Sequence, residues 1–213
     1  MKIISVHCPK AGGTALCNAL SSAFGSSFET DYSEDPADPR SPRNLDPDSY
    51  FSRNRTVNEH VFCLHGHFHP GQFDLSNVFL FTVLRYPVEN IISIYSFWKQ
   101  LPSQGQPLHD YFVSRRLNVF ETARLPLLRF LYSKTYFGSF DMSRFDLIGR
   151  HEARQEALQR LGRVAGLTIE SSVQANTTAP TDERDELLAN PSCLRQLEDI
   201  LREDIRFYER VCT

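Results

Sequence analysis

The fold of this chain is decided by the stretch IISVHCPKAGGT, which occupies residues 3–14. Residues 3–7 form a short run rich in strand-forming side chains, and a loop with two glycines follows. Apolar side chains then recur at helical spacing, namely Leu16, Ala19, Leu20, Ala23 and Phe24. The stretch therefore predicts a strand, a loop and the start of a helix.

Further strand–helix units follow this first one. Residues 77–84, NVFLFTVL, are almost all apolar, as expected of a strand covered on both faces. Pro87 then opens a helix, and its predicted buried stripe is Val88, Ile91, Ile92 and Tyr95. Residues 145–149 predict another strand, with a helix over 151–165 that Gly166 caps. A last amphipathic helix is predicted over 192–208. This alternation implies an α/β fold, a parallel β-sheet flanked by helices.

The length of 213 residues suits one domain that covers residues 1–213. Residues 29–59 interrupt the alternation, because they contain many acidic residues and few apolar ones. They also carry four prolines, Pro36, Pro39, Pro42 and Pro47. This composition predicts a flexible insertion or lid within the domain.

Composition excludes several classes of function. A net charge of -3 and a pI near 6.2 argue against a general nucleic-acid binder, although a local basic pocket stays possible. The five cysteines are odd in number and form no CxxC pair, which argues against a thiolate zinc site and a disulfide scaffold. No apolar run is long enough to span a membrane or to act as a signal segment, so we expect a cytoplasmic protein without membrane contact. A fragment of a membrane-anchored protein would show the same lack of a long apolar run.

The loop after the first strand has the features of an anion site. Backbone N–H groups converge at a helix N-terminus, and Gly12 and Gly13 allow a phosphate to approach the backbone closely. Thr14 can cap the helix and donate its hydroxyl, and Lys10 adds a mobile positive charge. The Walker pattern is absent, because this lysine precedes the glycines. A tight turn with a surface lysine remains the alternative interpretation.

A second candidate site begins where the apolar strand over 77–84 ends. Arg85 stands at the carboxyl end of that strand, where open α/β sheets bind ligands, and its planar fork suits a phosphate. Ser93 lies about two helical turns later, on a predicted polar face with Glu89, Ser96 and Gln100. A serine there could meet the same phosphate. A solvated arginine and an exposed serine are the alternative.

Residues 63–70, CLHGHFHP, place three histidines within five residues. Such spacing can bind metal, but no further cysteine or carboxylate lies nearby in sequence to complete a site. Three structural histidines are a second interpretation. We favour a general base, because a neutral imidazole near pH 7 can take a proton from an attacking hydroxyl.

The first two motifs resemble those of sulfotransferases that use 3′-phosphoadenosine-5′-phosphosulfate (PAPS). The sequence PKAGGT at 9–14 resembles the family's 5′-phosphosulfate loop, in which the lysine reaches the bridging oxygen. The resemblance implies cofactor contacts from Lys10, Ala11, Gly12, Gly13, Thr14 and Ala15, and a catalytic role for Lys10. Ala15 stands where the family often has a serine. Residues 84–95 resemble the 3′-phosphate motif, which implies that Arg85 and Ser93 hold that phosphate, although Tyr86 replaces the usual aspartate.

The histidine segment resembles the Gly-His-Phe stretch of carbohydrate sulfotransferases, and its His-Gly-His looks like the catalytic pair of uronyl 2-O-sulfotransferases. This resemblance implies that His67 is the base and His65 its partner or substitute. Residues 145–152 are similar to a late strand–helix unit of the family, and 176–178 to a short Asn-x-Ser segment. Arg150 and Asn176 are therefore further candidate cofactor contacts.

The resemblance implies an enzyme that transfers a sulfuryl group from PAPS to a hydroxyl of a sugar or small-molecule acceptor. The product would be 3′-phosphoadenosine 5′-phosphate (PAP), and neither metal nor nucleic acid is expected to take part.

Two rival classes are a P-loop kinase and a non-catalytic nucleotide-binding module. A kinase should have a Walker lysine and a metal-binding aspartate after the apolar strand, where this chain has Arg85. Lys10 and the histidines argue against the binding module.

Overall fold

The structure is a computed structural model, and it describes residues 1–170 and 182–212. Its strands are β1 (Lys2–His7), β2 (Phe28–Asp31), β3 (Cys63–Gly66), β4 (Val78–Leu84) and β5 (Leu147–Arg150). They form one sheet in the order β2-β3-β1-β4-β5, and every neighbouring pair is parallel. The predicted α/β class with a parallel sheet is confirmed.

Helices connect and cover these strands. The helices of the first half of the chain are α1 (Gly13–Phe24), α2 (Pro42–Leu45), α3 (Pro47–Phe51) and α4 (Pro87–Lys99). Those of the second half are α5 (Pro107–Arg115), α6 (Val119–Ala123), α7 (Pro126–Arg129), α8 (Arg154–Ala165), α9 (Asp182–Ala189), α10 (Pro191–Ile200) and α11 (Arg202–Val211). Short 3-10 turns occur at Gly25–Ser27, Pro70–Gln72 and Met142–Arg144, and a π-helical turn at Leu131–Tyr136. Over residues 1–170 and 182–212, no helix combines the length and apolar character needed to cross a membrane.

Apolar side chains on both faces of the sheet build two separate cores. On one face, Ile3 and Phe81 pack with Leu16 of α1 and Leu158 of α8. The core of the opposite face joins strand residues such as Ile4 to side chains of α4, α10 and α11. This double covering explains why β4 is apolar along almost its whole length.

Most of the predicted elements are confirmed, and the last helix is the main correction. Pro87 occupies the first turn of α4, and Gly166 caps α8 with a left-handed φ of 69°. The helix predicted over 192–208 is instead α10 and α11, which meet at Leu201. The break lets α11 turn so that the buried carboxylate of Asp204 reaches the π-helical turn.

The segment 29–59, which its composition predicts to be a flexible insertion or lid, contains regular secondary structure. It begins inside β2, which pairs with β3 at one edge of the sheet, and edge strands tolerate acidic residues such as Glu29. The rest contains α2 and α3, which are anchored by buried side chains. Tyr50 is 0% exposed and its hydroxyl accepts the backbone N–H of His69. Arg43 is 7% exposed and donates to the Lys134 carbonyl. These long-range contacts compensate for the low apolar content.

Asp204 ties the C-terminal helix to the end of β4. Its carboxylate accepts the backbone N–H groups of Tyr132 at 2.8 Å and Ser133 at 2.9 Å, and the Ser133 hydroxyl also donates to it. The Tyr132 hydroxyl in turn donates to the Arg85 carbonyl at 3.0 Å and accepts the Arg85 N–H at 3.3 Å. Burial raises the pKa of Asp204 to about 6. The chain of contacts fixes the backbone of Arg85 from a distant part of the sequence.

We expect Asp204→Ala to lower the free energy of unfolding by about 3 kcal/mol, because two backbone N–H groups would lose their acceptor. Asp199→Ala is the matched control, since the Asp199 side chain is 72% exposed in its pair with Arg202. The control should stay within about 0.5 kcal/mol of the parent protein. Urea unfolding of the three proteins measures both values. Equal stability of the two variants would contradict a structural role for the Asp204 carboxylate.

Candidate active site

The carboxyl ends of four neighbouring strands meet at one edge of the sheet. Val6 pairs with Gly66, His7 with Val83, and Leu84 with Arg150, so the residues that follow these strands are level. The direction of the chain across the sheet also reverses here, because β2 and β3 lie on one side of β1 and β4 and β5 lie on the other. Ligands of open α/β sheets bind at such a switch point. It lies between the loop after β1 and Arg85 after β4.

The loop after β1 is held from both of its ends. Lys10 and Gly12 adopt left-handed φ angles of 58° and 86°. Asn90 of α4 donates from Nδ2 to the Pro9 carbonyl at 2.8 Å, and Leu16 donates its N–H to the Gly12 carbonyl at 3.1 Å. Sequence reasoning missed Asn90, because a buried amide on an apolar helix has no local signal.

Glycine is favoured at position 12 by a left-handed φ and at position 13 by the close His7 ring. A Cβ at Gly12 would lie 2.4 Å from Nη1 of Arg154, and one at Gly13 would lie 1.7 Å from Nε2 of His7. The loop backbone is therefore packed between β1 and the start of α8. Gly12, and not Thr14, is the N-cap of α1, and no side chain caps that helix. The prediction that Thr14 caps the helix is wrong, because the helix already begins at Gly13.

Positive charge gathers at this loop. Burial, followed by the charges of Arg85 and Arg184, lowers the pKa of Lys10 to about 8. The Lys10 ammonium lies 4.0 Å from the centre of the Phe97 ring. Arg85 contacts the partly exposed Glu89 at 3.3 Å. The two predicted cations are thus brought close enough to repel each other, which an anionic ligand would relieve.

The turn after β5 adds two residues that the sequence analysis did not select. Burial and then the charge of Arg85 lower the pKa of His151, which also hydrogen-bonds the Ala11 backbone. The Nδ1 atom of His151 and Nε of Arg154 are buried and have no partner among the described residues. Arg150 itself donates to the Cys212 carbonyl. Arg150 and His151 therefore contact different parts of the chain, because consecutive side chains at a strand end point in opposite directions.

The remaining candidate cofactor contacts lie in the loop after β1, on α1, on α4 and outside the described residues. Ala11 and Ala15 are 1% and 2% exposed, and Thr14 is exposed. Ser93 is only 3% exposed and Ser96 5%, whereas Glu89 and Gln100 at the two ends of the predicted polar face are exposed. Other helices, including α6, α9 and α10, cover α4 and cause this burial. Asn176 lies outside the described residues.

Three imidazoles and a phenol cluster at the ends of β1, β2 and β3. The His67 ring centre lies 4.6 Å from that of His7 and 4.9 Å from that of Tyr32. His65 stacks on His7 at 5.1 Å, and its Nδ1 lies 2.9 Å from the hydroxyl of Ser5 on the neighbouring strand. Gly66 separates the two predicted histidines because a Cβ there would lie 1.8 Å from the Asp31 carbonyl oxygen.

Burial keeps the clustered imidazoles neutral at pH 7. It lowers the pKa of His67 to about 4 and, with the neighbouring His67, that of His65 to about 3. Burial, followed by His67 and His65, holds the pKa of His7 well below the ordinary range. The Nε2 atoms of all three are buried and lack a hydrogen-bond partner among the described residues. Each is therefore available to a ligand as a donor or an acceptor.

His69 has a structural role. Its Nδ1 accepts the Gly71 N–H at 3.0 Å, and its Nε2 lies 3.0 Å from the Gly138 carbonyl. Both ring nitrogens are thus occupied by the backbone. Within residues 1–170 and 182–212, no group of three or more His, Cys, Asp or Glu side chains is arranged to hold a metal ion.

Sequence reasoning selected Lys10, Arg85 and His67, and it missed His7. The available signal was the position of His7 as the last residue of the first strand, next to the glycine loop. Polar residues at the ends of neighbouring parallel strands converge even when they are far apart in sequence. Only the strand order identifies β3 as the neighbour of β1.

No protein-family model matches the chain, and no curated protein matches it in sequence. Among solved structures it is similar to the mouse sulfotransferase SULT7A1 complexed with PAP. That match has a TM-score of 0.49 and 12% identity, and it covers 99% of this chain and 85% of the other. An identity of 12% leaves the chemistry of this site to be argued from its own side chains.

We expect the imidazoles of His7, His65, His67 and His69 to show no titration between pH 5.5 and 8 in the folded protein, since burial lowers each pKa. An unfolded imidazole has a pKa near about 6.5, so the unfolded state binds more protons below that pH. The free energy of unfolding should therefore decrease as the pH is lowered below about 6.5, by up to about 1.4 kcal/mol per pH unit for each imidazole.

Side-chain NMR, with resonances assigned from single-histidine variants, measures the four pKa values. A resonance of this cluster with a midpoint near pH 6.5 would contradict the burial that the structure gives to its imidazole.

Proposed function

We propose that this chain is a sulfotransferase, one domain over residues 1–213, that transfers a sulfuryl group from PAPS to an acceptor hydroxyl. The observation that carries the proposal is that Lys10 and Arg85 follow the neighbouring strands β1 and β4, while the neutral His67 follows β3 on the other side of β1. The positive charge of Arg85 lowers the pKa of Lys10, so the region favours a ligand with several negative charges. PAPS carries such charges at both ends of its ribose.

The fit to PAPS rests on the loop and on the unpartnered nitrogens around it. Backbone N–H groups at the start of α1 and the ammonium of Lys10 would hold the 5′-phosphosulfate. Arg85 and Ser93 would hold the 3′-phosphate, with His151 and Arg154 as further donors at the same edge. Ala11 and Ala15 would contribute their backbone, and Thr14 its hydroxyl. PAPS supplies the activated sulfuryl group.

The acceptor would lie on the side of β3, where His67 follows the strand. His67 is neutral, so its ring can accept the hydroxyl proton as the new oxygen–sulfur bond forms. A pKa of about 4 makes it a weak base, but the hydroxyl becomes more acidic as its oxygen bonds to sulfur. The bond from sulfur to the bridging oxygen breaks, and Lys10 stabilises the charge left on the phosphate. His65 would support His67 from the strand.

This chemistry relies on positioning and electrostatics and needs no metal. The proposed acceptor is a hydroxyl of a sugar or of another small molecule. Tyr32 lies beside His67, with ring centres 4.9 Å apart, and its partly exposed ring offers an aromatic contact to such a molecule.

We expect Arg85→Ala to weaken PAP binding by about 30-fold or more, because a charged phosphate loses its bidentate partner. Isothermal calorimetry with PAP measures this change, with ATP plus magnesium as the comparison ligand. Arg115→Ala is the control, since Arg115 is exposed on α5. Tight binding of PAP without magnesium supports the proposal. Binding of ATP but not PAP would replace it with a kinase.

We expect His67→Ala to lower sulfuryl transfer by about 10²–10⁴-fold while PAP affinity stays unchanged, as for the loss of a general base. The assay uses PAPS with a panel of monosaccharides, alcohols and phenols, contains EDTA, and detects sulfated products by mass spectrometry. His60→Ala is the control, because the His60 side chain is 69% exposed. Undiminished transfer by His67→Ala would assign the base to another residue.

A further inference from the structure

His7 is the imidazole that lies against the phosphate loop. It is the last residue of β1, and its ring packs on Gly13, the first residue of α1. A Cβ on Gly13 would lie 1.7 Å from His7 Nε2 and 1.9 Å from its Cε1. The ring edge therefore faces the N-terminus of α1, where the loop would hold a phosphosulfate.

The Nε2 atom of His7 is buried and has no hydrogen-bond partner within residues 1–170 and 182–212. A buried polar atom without a partner is costly, and a hydrogen bond to a ligand bound at the loop would remove that cost. His65 and His67 lie beside it, and the three rings bring together three such Nε2 atoms. Of these, His7 is the one whose position leaves no room for a side chain at Gly13.

The Tyr32 hydroxyl is placed where it can fix the tautomer of His7 by donating to Nδ1. The hydroxyl lies 3.0 Å from His7 Nδ1, and burial raises the pKa of Tyr32, so the phenol keeps its proton. When that hydroxyl donates to Nδ1, the single imidazole proton must reside on Nε2. The His7 ring then directs a donor towards the start of α1.

We propose that Nε2–H of His7 donates a hydrogen bond to a sulfuryl oxygen of PAPS, with Tyr32 as the residue that positions it. This inference rests on the proposed function, and it assigns the two imidazoles different roles. His67 takes the acceptor proton, and His7 binds the group that is transferred. The negative charge shared by the sulfuryl oxygens strengthens such a hydrogen bond.

The test compares the affinities for PAPS and PAP, because PAP lacks the sulfuryl group. His7→Asn removes the donor at the Nε2 position, and we expect it to weaken PAPS binding by about tenfold or more while PAP binding stays unchanged. His7→Gln places an amide N–H near the Nε2 position and should retain most of the PAPS affinity. Tyr32→Phe should give a smaller loss with the same selectivity.

His60→Gln is the control, and both of its affinities should equal those of the parent protein. Tyr32→Phe keeps the test informative if the His7 variants fail to fold, because Tyr32 is 45% exposed and the change is conservative. Equal losses for PAPS and PAP, or no loss in any of these variants, would overturn the role of His7. If the parent protein itself fails to bind PAP, the proposed function fails instead.

Discussion

Parallel hydrogen bonding of β1 to both β3 and β4 is the constraint on which the site depends. It makes the carboxyl ends of the three strands level, so that His67, the glycine loop and Arg85 open onto one edge. These residues are separated by long stretches of chain, and nothing in their local sequence brings them together. The two apolar cores hold the sheet from both faces and keep this edge in place.

Close packing then determines the chemistry that the edge can perform. The loop backbone passes between His7 and Arg154; the His7 ring leaves no space for a Cβ at Gly13, and Gly12 has a left-handed φ of 86°. The same packing withdraws the imidazoles from water and lowers their pKa values, which leaves neutral rings beside a positively charged loop. A polyanionic donor and a hydroxyl acceptor would find complementary partners on neighbouring strands.

Distant parts of the chain support this arrangement through buried polar contacts. Asn90 holds the Pro9 carbonyl, and Tyr132 holds the backbone of Arg85 from both its N–H and its carbonyl. Asp204 fixes Tyr132 in turn, so that the C-terminal helix α11 stabilises the proposed phosphate ligand after β4. Such contacts are specific because a buried donor without its acceptor is costly.

The sequence by itself determined the α/β class, the strand–loop–helix unit that contains Lys10, and the strand end that presents Arg85. These features are local, because apolar periodicity, glycine and proline act on their immediate neighbours. Only the tertiary structure decided that the acidic segment 29–59 begins within β2, that Ser93 is buried, and that His7 faces the glycine loop. The physical reason is that strand order, helix covering and side-chain contact are long-range properties, set by which surfaces of the whole chain pack together.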